Sequence, residues 1–99
     1  MDITVTQSDG ISTINVPDNL DVSTSTLFKQ TLEEAISNAE KIELDFEQTV
    51  LITSAGLRVL LQAEKTVKKA DKSMIFKNVL PDVMEIFSIT GVDKIFTIE

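Results

Sequence analysis

The chain contains no cysteine and no histidine among its 99 residues. Without cysteine there is no disulfide, no thiolate nucleophile, and no zinc–thiolate or iron–sulfur site. Without histidine the usual general base, the imidazole metal ligand and every serine–histidine triad are excluded. We therefore expect no metal and no cofactor in this chain, and we expect a binding protein rather than an enzyme.

Positive charge and long apolar runs are also scarce. Nine Lys and Arg residues stand against sixteen Asp and Glu residues, so the formal net charge is -7 at pH 7. A nucleic-acid-binding surface needs cations to neutralise phosphates, and an anionic membrane surface repels an acidic protein. No apolar run approaches the roughly 18 residues of a membrane span, and no signal-peptide pattern opens the chain. We therefore expect a cytoplasmic protein that neither binds nucleic acid nor inserts into a membrane.

The length and composition predict one folded domain over residues 1–99. A chain of 99 residues has room for one modest hydrophobic core. Its 42% of hydrophobic and 25% of charged residues are typical of a folded globular protein. For a chain with so much charge of one sign, the simplest expectation is a monomer.

The N-terminal segment predicts a β-hairpin. Apolar and polar residues alternate from Met1 to Val5, as expected for a half-buried strand. Asp9-Gly10 is a strong hairpin-turn signal, and a second strand is predicted from Ile11 to Val16, where Pro17 ends it.

The rest of the chain alternates between helical and strand periodicity. Helices are predicted at 22–39, after Ser54, and from Pro81 up to Gly91 as the C′ residue, and strands at 41–46, 73–77 and 94–98. Strands that alternate with helices after an opening hairpin predict an α/β fold with a mixed, mostly parallel sheet of about five strands.

Ser54 lies where an apolar segment leads into the first turn of a helix. Thr53 or Ser54 is predicted to cap this helix, with its hydroxyl accepting from free backbone N–H groups. The same N–H groups and the positive end of the helix dipole would stabilise a phosphate on Ser54. Because a glycine in the first turn lowers helix stability, we interpret Ala55 and Gly56 as small residues that leave the backbone open to another protein.

Asp21 is predicted to cap the first long helix. No Glu or Gln follows three residues later, so we expect no capping box. Asp21 lies in a strand-to-helix loop, and partners of α/β sheets meet the loops at the carboxyl ends of the strands. Ser54 is expected at the same end. We predict that the hydroxyl residues from Ser23 to Thr26 form an exposed first turn.

The lysine-rich end of the second helix has an ordinary explanation. The lysines from Lys65 to Lys72 are predicted to be a solvated helix end that matches the helix dipole.

The alternative of a small enzyme has its own candidate acid–base residues, which are Asp21, Asp45 and Glu47. Paired carboxylates need a pocket, however, and the chain has little room for one.

Three segments together resemble one known family. The run Ile42–Phe46 followed by Ile52–Leu61 resembles the central signature of STAS domains, the sulfate transporter and anti-sigma factor antagonist domains. Asn19-Leu20-Asp21 is similar to the family's Gly-x-Leu-Asp turn, with Asn in place of Gly, and Val83–Phe96 resembles its C-terminal helix and last strand. The resemblance implies a STAS-like domain with an N-terminal hairpin and three main helices.

The chain looks most like the free-standing anti-sigma factor antagonists of this family. In that class the serine before the small-Gly-Leu triplet is phosphorylated, and here that serine is Ser54. The resemblance implies that the unphosphorylated chain binds an anti-sigma factor serine kinase, which frees the sigma factor. It also implies that phosphorylation ends binding and that a PP2C-type phosphatase restores it. The expected partner-binding residues are Asp21, Ser23, Thr53, Ser54, Ala55, Gly56 and Arg58.

The sequence departs from the family at the position before Ser54. The family commonly has Asp there, whereas this chain has Thr53, which makes Thr53 the second choice of phosphate acceptor. The alternative is a non-phosphorylated STAS accessory subunit of a lipid-transporting ATPase, which would dock the transporter with the same loops.

Overall fold

Strands and helices alternate along residues 3–99, the part of the chain that the computed structural model describes. The strands are β1 (Val5–Ser8), β2 (Ile11–Asn15), β3 (Asn19–Leu20), β4 (Lys41–Asp45), β5 (Leu51–Ile52), β6 (Ser73–Lys77) and β7 (Thr97–Ile98). The helices are α1 (Val22–Asn38), α2 (Ser54–Lys69) and α3 (Pro81–Thr90), and Val92–Lys94 form a 3₁₀ turn.

The main sheet has five strands in the order β1-β2-β4-β6-β7. Only β1 and β2 are antiparallel, and they are joined by the predicted turn, in which Asp9 and Gly10 both have positive φ (53° and 78°). The other neighbours are parallel. The predicted α/β class, with a mostly parallel sheet and an N-terminal hairpin, is confirmed.

The core lies on one face of this sheet. The pairing register aligns Ile14, Leu44 and Phe76 across β2, β4 and β6, and all three are fully buried. The intervening positions point to the opposite face, because side chains alternate along a strand. Glu43 lies there and forms an ion pair with Lys77 at 3.3 Å. The sheet is therefore apolar on one face and largely polar on the other.

The helices close the core over the apolar face. Phe28 and Leu32 of α1 and Leu60 and Val67 of α2 are at most 1% exposed and join one cluster with the sheet residues. Each such side chain contributes about 1.5–3 kcal/mol when it is removed from water. This burial, more than helix propensity, holds α1 and α2 against the sheet.

Four phenylalanines join α3 to the last strand. The Phe76 ring stacks on Phe46 and Phe96 at centroid distances of 5.1 and 4.4 Å. Phe87 of α3 meets all three rings edge-on at 5.6 to 6.0 Å. Such stacked and edge-to-face pairs contribute beyond their buried area.

The prediction of a half-buried first strand holds only at Ile3, which packs against the core, and is wrong for the strand itself. The observed strand starts at Val5, all four of its side chains are exposed, and Val5 itself is 46% exposed. β1 is the edge of the sheet and pairs with β2 alone, so less of its surface is covered. Met1, where the predicted alternation began, lies outside the described residues.

The last strand is shorter than the predicted 94–98. Gly91 ends α3 in the left-handed region at φ 82°, as its position predicted. The chain then makes the 3₁₀ turn, which the Ile95 N–H closes by donating to the Val92 carbonyl at 2.9 Å, and the Phe96 N–H donates to the same carbonyl at 2.9 Å. β7 is therefore limited to two residues, which pair with Ile75 and Phe76.

Candidate functional site

A second, two-stranded sheet brings the starts of α1 and α2 together. β3 and β5 are parallel and in register, with Leu20 opposite Ile52. The Thr53 N–H donates to the Leu20 carbonyl at 3.0 Å, so the pairing continues to the point where α2 begins. Asp21 and Thr53 follow the two paired residues, so the structure places both helix starts at one edge.

The start of α1 is closed by a capping box. The Asp21 carboxylate accepts the N–H groups of Ser23 and Thr24 at 3.0 and 3.2 Å and the Ser23 hydroxyl at 2.7 Å. The Asp21 N–H in turn donates to the Thr24 hydroxyl at 3.0 Å. The expectation of no capping box is wrong, because a threonine hydroxyl fills the role usually taken by Glu or Gln. These hydrogen bonds, led by that from the Ser23 hydroxyl, hold the pKa of Asp21 below its usual range.

The prediction that the hydroxyl residues from Ser23 to Thr26 form an exposed first turn is only half right. Ser23 and Thr26 are exposed, but Thr24 and Ser25 are buried. The Thr24 hydroxyl donates to the Asn19 carbonyl at 2.8 Å, and the Ser25 hydroxyl donates to the Asp21 carbonyl. They are part of the internal frame of the loop, because each pairs with a backbone carbonyl.

The start of α2 is open. Thr53 is the N-cap by position, but its hydroxyl accepts no backbone N–H and instead lies 3.5 Å from the Leu20 carbonyl. The first helical hydrogen bond runs from the Leu57 N–H to the Thr53 carbonyl at 3.0 Å. The predicted hydroxyl cap is therefore wrong. Within residues 3–99, the N–H groups of Ser54, Ala55 and Gly56 have no hydrogen-bond partner.

Ser54 is the first residue of α2 rather than its cap, and its side chain is exposed. Its hydroxyl makes no hydrogen bond to any described residue. A modifying enzyme can therefore reach this oxygen without breaking an existing contact. The unpaired N–H groups beside it are the kind that stabilise a phosphate at a helix N-terminus.

Gly56 has a different role from the one expected. It is buried, and a Cβ atom at this position would lie 2.6 Å from the Leu20 carbonyl oxygen and 2.7 Å from the Leu20 Cγ. The interpretation that Gly56 leaves the backbone open to another protein is corrected, because this space is already filled by β3. Glycine is required here so that α2 can pack against the β3–β5 pair.

The remaining residues of the expected partner surface differ in exposure. Arg58 is exposed one turn after Ser54, whereas Thr53, Ala55 and Asp21 are half-buried. Arg58 forms no ion pair with a residue of the described chain. The structure thus leaves Ser23, Ser54 and Arg58 as the exposed side chains of the set.

Two of the three carboxylates considered for an enzyme, Asp21 and Asp45, already hold neighbouring backbone or side-chain groups in place. Asp45 accepts the Glu47 N–H at 2.9 Å and the Asn78 side-chain amide at 3.1 Å, while Asp21 caps α1. Among residues 3–99 no three acidic side chains are grouped in a way that suits a metal ion. Nor is any helix in this range long and apolar enough to cross a membrane.

The family model of the STAS domain matches residues 2–99. The chain therefore belongs to the STAS domain family, as its sequence signature indicated.

Solved structures share this fold at low sequence identity. TM1081 of Thermotoga maritima, a candidate anti-sigma factor antagonist, is 20% identical with a TM-score of 0.87, over 97% of this chain and 84% of that chain. An anti-sigma factor antagonist from Mycobacterium paratuberculosis is also 20% identical, with a TM-score of 0.87 over 98% and 83%.

The Bacillus anti-sigma factor antagonist SpoIIAA has the same fold in two states. Its unphosphorylated form is 17% identical with a TM-score of 0.83, over 99% of this chain and 88% of that chain. Its phosphorylated form is 16% identical with a TM-score of 0.77, over 99% and 91%.

Proposed function

We propose that this chain is a cytoplasmic, non-enzymatic anti-sigma factor antagonist that binds an anti-sigma factor serine kinase and is switched off by phosphorylation of Ser54. The observation that carries the proposal is the exposed Ser54 hydroxyl, which has no partner within residues 3–99 and stands at the uncapped start of α2. ATP and its metal ion belong to the kinase, and a PP2C-type phosphatase resets the switch.

Phosphorylation here would change charge more than it would change structure. A phosphate adds a charge of about -1.5 to -2. The unpaired N–H groups of Ser54 and Ala55 can donate hydrogen bonds to the phosphate, so α2 stays folded. The added charge falls on a chain that already carries -7, beside the start of α1, where Asp21 is ionised. A partner that must desolvate this surface, or that presents carboxylates to it, is repelled.

The relatives support the same role. Anti-sigma factor antagonists share the fold, and SpoIIAA retains it when phosphorylated. A domain of this architecture therefore accommodates a phosphate without losing its fold, as the proposal for Ser54 requires.

The first test of the switch is chemical. Wild type, Ser54→Ala and Thr53→Ala are incubated with ATP, Mg²⁺ and the serine kinase encoded in the same genome, and intact masses are measured. We expect one added phosphate in wild type and Thr53→Ala and none in Ser54→Ala. A phosphate that persists in Ser54→Ala but is lost in Thr53→Ala would move the site to Thr53.

The second test measures binding of that kinase. We expect Ser54→Ala to bind as wild type does and Ser54→Asp to lose binding. Ser37→Asp is the matched control, because Ser37 is also exposed on a helix but lies near the far end of α1. Wild-type affinity in a folded Ser54→Asp variant would refute the switch.

One observation favours a second candidate, an accessory subunit of a lipid-transporting ATPase that is not phosphorylated. Thr53 stands where the phosphorylated relatives commonly have Asp, and it provides no carboxylate at the start of α2. Copurification of an ATPase subunit with wild type and Ser54→Ala alike, with no phosphate on either, would support this candidate instead.

A further inference from the structure

We propose that the groove between α1 and α2 binds an acidic, amphipathic segment of the partner protein; this rests on the proposed function and names the chemistry of its partner. Two cavities of about 270 and 310 Å³ lie between the helices. Lys29, Val59 and Gln62 line both, so the two cavities are adjacent, and together they are called the α1–α2 groove below.

The charge of this groove is opposite to that of the chain. Lys29, Arg58 and Lys65 line it, which is three of the nine cations of the chain, and Glu33 is the one acidic residue among its described lining. None of the three cations forms an ion pair within residues 3–99. By contrast, Lys41, Lys68 and Lys77 are each paired with a glutamate. Three of the six cations that form no ion pair within residues 3–99 thus line this one groove, and cations grouped in this way on an acidic protein indicate a surface complementary to carboxylates.

The floor of the α1–α2 groove is apolar. Leu32 and Ile36 of α1 and Val59 and Ala63 of α2 line it beneath the cations. The lining residues of α2 run from Ala55 to Thr66, which at about 1.5 Å per residue spans about 16 Å, or three helical turns. Grooves of this kind take an amphipathic segment that places apolar side chains on the floor and charged ones at the rim. The cationic rim selects a segment whose charges are Asp and Glu.

The end of the α1–α2 groove that Ala55 and Arg58 line lies next to Ser54, the proposed phosphorylation site. Arg58 lines the groove and follows Ser54 by four residues, so the two side chains share one face of α2. A phosphate on Ser54 competes with the partner's carboxylates for Arg58 and adds negative charge at the mouth of the groove. An acidic segment is therefore expelled by the modification that the proposed function places at Ser54.

The test reverses single charges and measures the affinity of the purified kinase by calorimetry. Lys29→Glu, Arg58→Glu and Lys65→Glu are each expected to raise Kd at least about tenfold, which is about 1.4 kcal/mol. The matched control is Lys69→Glu, which changes an exposed lysine of the same helix outside the groove and is expected to stay within about twofold of wild type. Thermal unfolding confirms that each variant is folded. Raising the salt from about 0.05 to 0.3 M should weaken binding of wild type more than binding of Arg58→Glu.

The outcomes separate the groove from the switch. If the three groove variants bind as wild type does while Ser54→Asp loses binding, the groove proposal is overturned and the proposed function stands. If the groove variants lose binding and Ser54→Asp does not, the groove is supported and the switch fails. Wild type that binds no serine kinase overturns both proposals.

A charge swap tests the pairing directly. Binding lost in Arg58→Glu should return when one acidic residue of the kinase is changed to lysine. A scan of the kinase's exposed acidic residues in which no change to lysine restores binding would overturn the proposal. So would binding to phosphatidylglycerol vesicles, or a dimer of this chain, that disappears in the same variants while kinase binding persists.

Discussion

Replacement of Gly56 by alanine separates helix propensity from tertiary packing. Alanine is the better residue inside a helix by about 1 kcal/mol, so α2 considered alone predicts a more stable protein. The structure predicts the opposite, because the new Cβ would lie 2.6 Å from the Leu20 carbonyl oxygen and 2.7 Å from its Cγ. The sign of the change in stability therefore decides which effect is larger.

The magnitude follows from how little Leu20 can move. Its side chain is fully buried, and its carbonyl accepts the Thr53 N–H at 3.0 Å, so a shift costs both packing and a hydrogen bond. Overpacking typically costs about 1–3 kcal/mol, and a clash with a backbone atom belongs at the upper end of that range. After the gain in helix propensity is subtracted, Gly56→Ala should lose about 2 kcal/mol. For a domain of this size the melting temperature should fall by roughly 10 °C.

Urea unfolding followed by circular dichroism measures the difference. Ser54→Ala is the control from the same helical turn, since Ser54 is exposed and its hydroxyl has no partner within residues 3–99; it should change stability by less than about 0.5 kcal/mol. In a Leu20→Ala background the cost of Gly56→Ala should shrink without vanishing, because the carbonyl clash remains. Unchanged or increased stability of Gly56→Ala would refute the packing argument.

Three further predictions concern stability and pH. Asp21→Asn should lower the melting temperature at pH 7. Because the pKa of Asp21 is lowered in the folded state, its carboxylate stabilises the fold above the ordinary pKa of 3.8. In a pH series the difference in melting temperature between wild type and variant should therefore shrink below that value, and a difference that stays constant down to about pH 2 would contradict this. Glu64, 5% exposed with Oε1 unpaired among the described residues, has its pKa raised by burial, which Lys68 only partly opposes. Its ionisation therefore lowers the stability of the fold as the pH rises above its ordinary pKa of 4.5. Glu64→Met should raise the free energy of unfolding by about 1–3 kcal/mol at pH 7 and by less at pH 4. An equal gain at the two pH values would exclude ionisation as the cause. Phe96→Ala, which empties a position stacked 4.4 Å from Phe76, should cost about 3 kcal/mol in urea unfolding, while its neighbour Ile95→Ala, 46% exposed, should cost less than about 0.5; similar losses for the two would disprove the role of the aromatic cluster.

The sequence correctly predicted the turns and helix ends that depend on only a few neighbouring residues. The Asp9-Gly10 turn, Pro81 at the start of α3 and Gly91 at its end all lie where turn and capping chemistry predicted. The helix at 22–39 ends one residue earlier than expected, at Asn38. Each of these features depends on residues close along the chain, so short-range patterns suffice to find them.

The errors at the candidate site share one cause. Three features were missed: Thr24 as the second half of a capping box, the uncapped Thr53, and the packing of Gly56 on Leu20. Each depends on a side-chain rotamer or on a contact between segments more than thirty residues apart. A sign for Gly56 was present, since a glycine that weakens a helix often has a packing reason. The sequence alone did not identify its neighbour.

The sequence by itself determined the α/β class, the three helices, the STAS signature and the position of Ser54 at the start of a helix, because periodicity, turn residues and a motif are properties of short segments. Only the tertiary structure decided that β3 and β5 pair, that the start of α1 is closed while that of α2 is open, and that three cations from two helices line one groove. The physical reason is that burial and charge complementarity act between surfaces. Those surfaces form only when the hydrophobic core brings distant segments together.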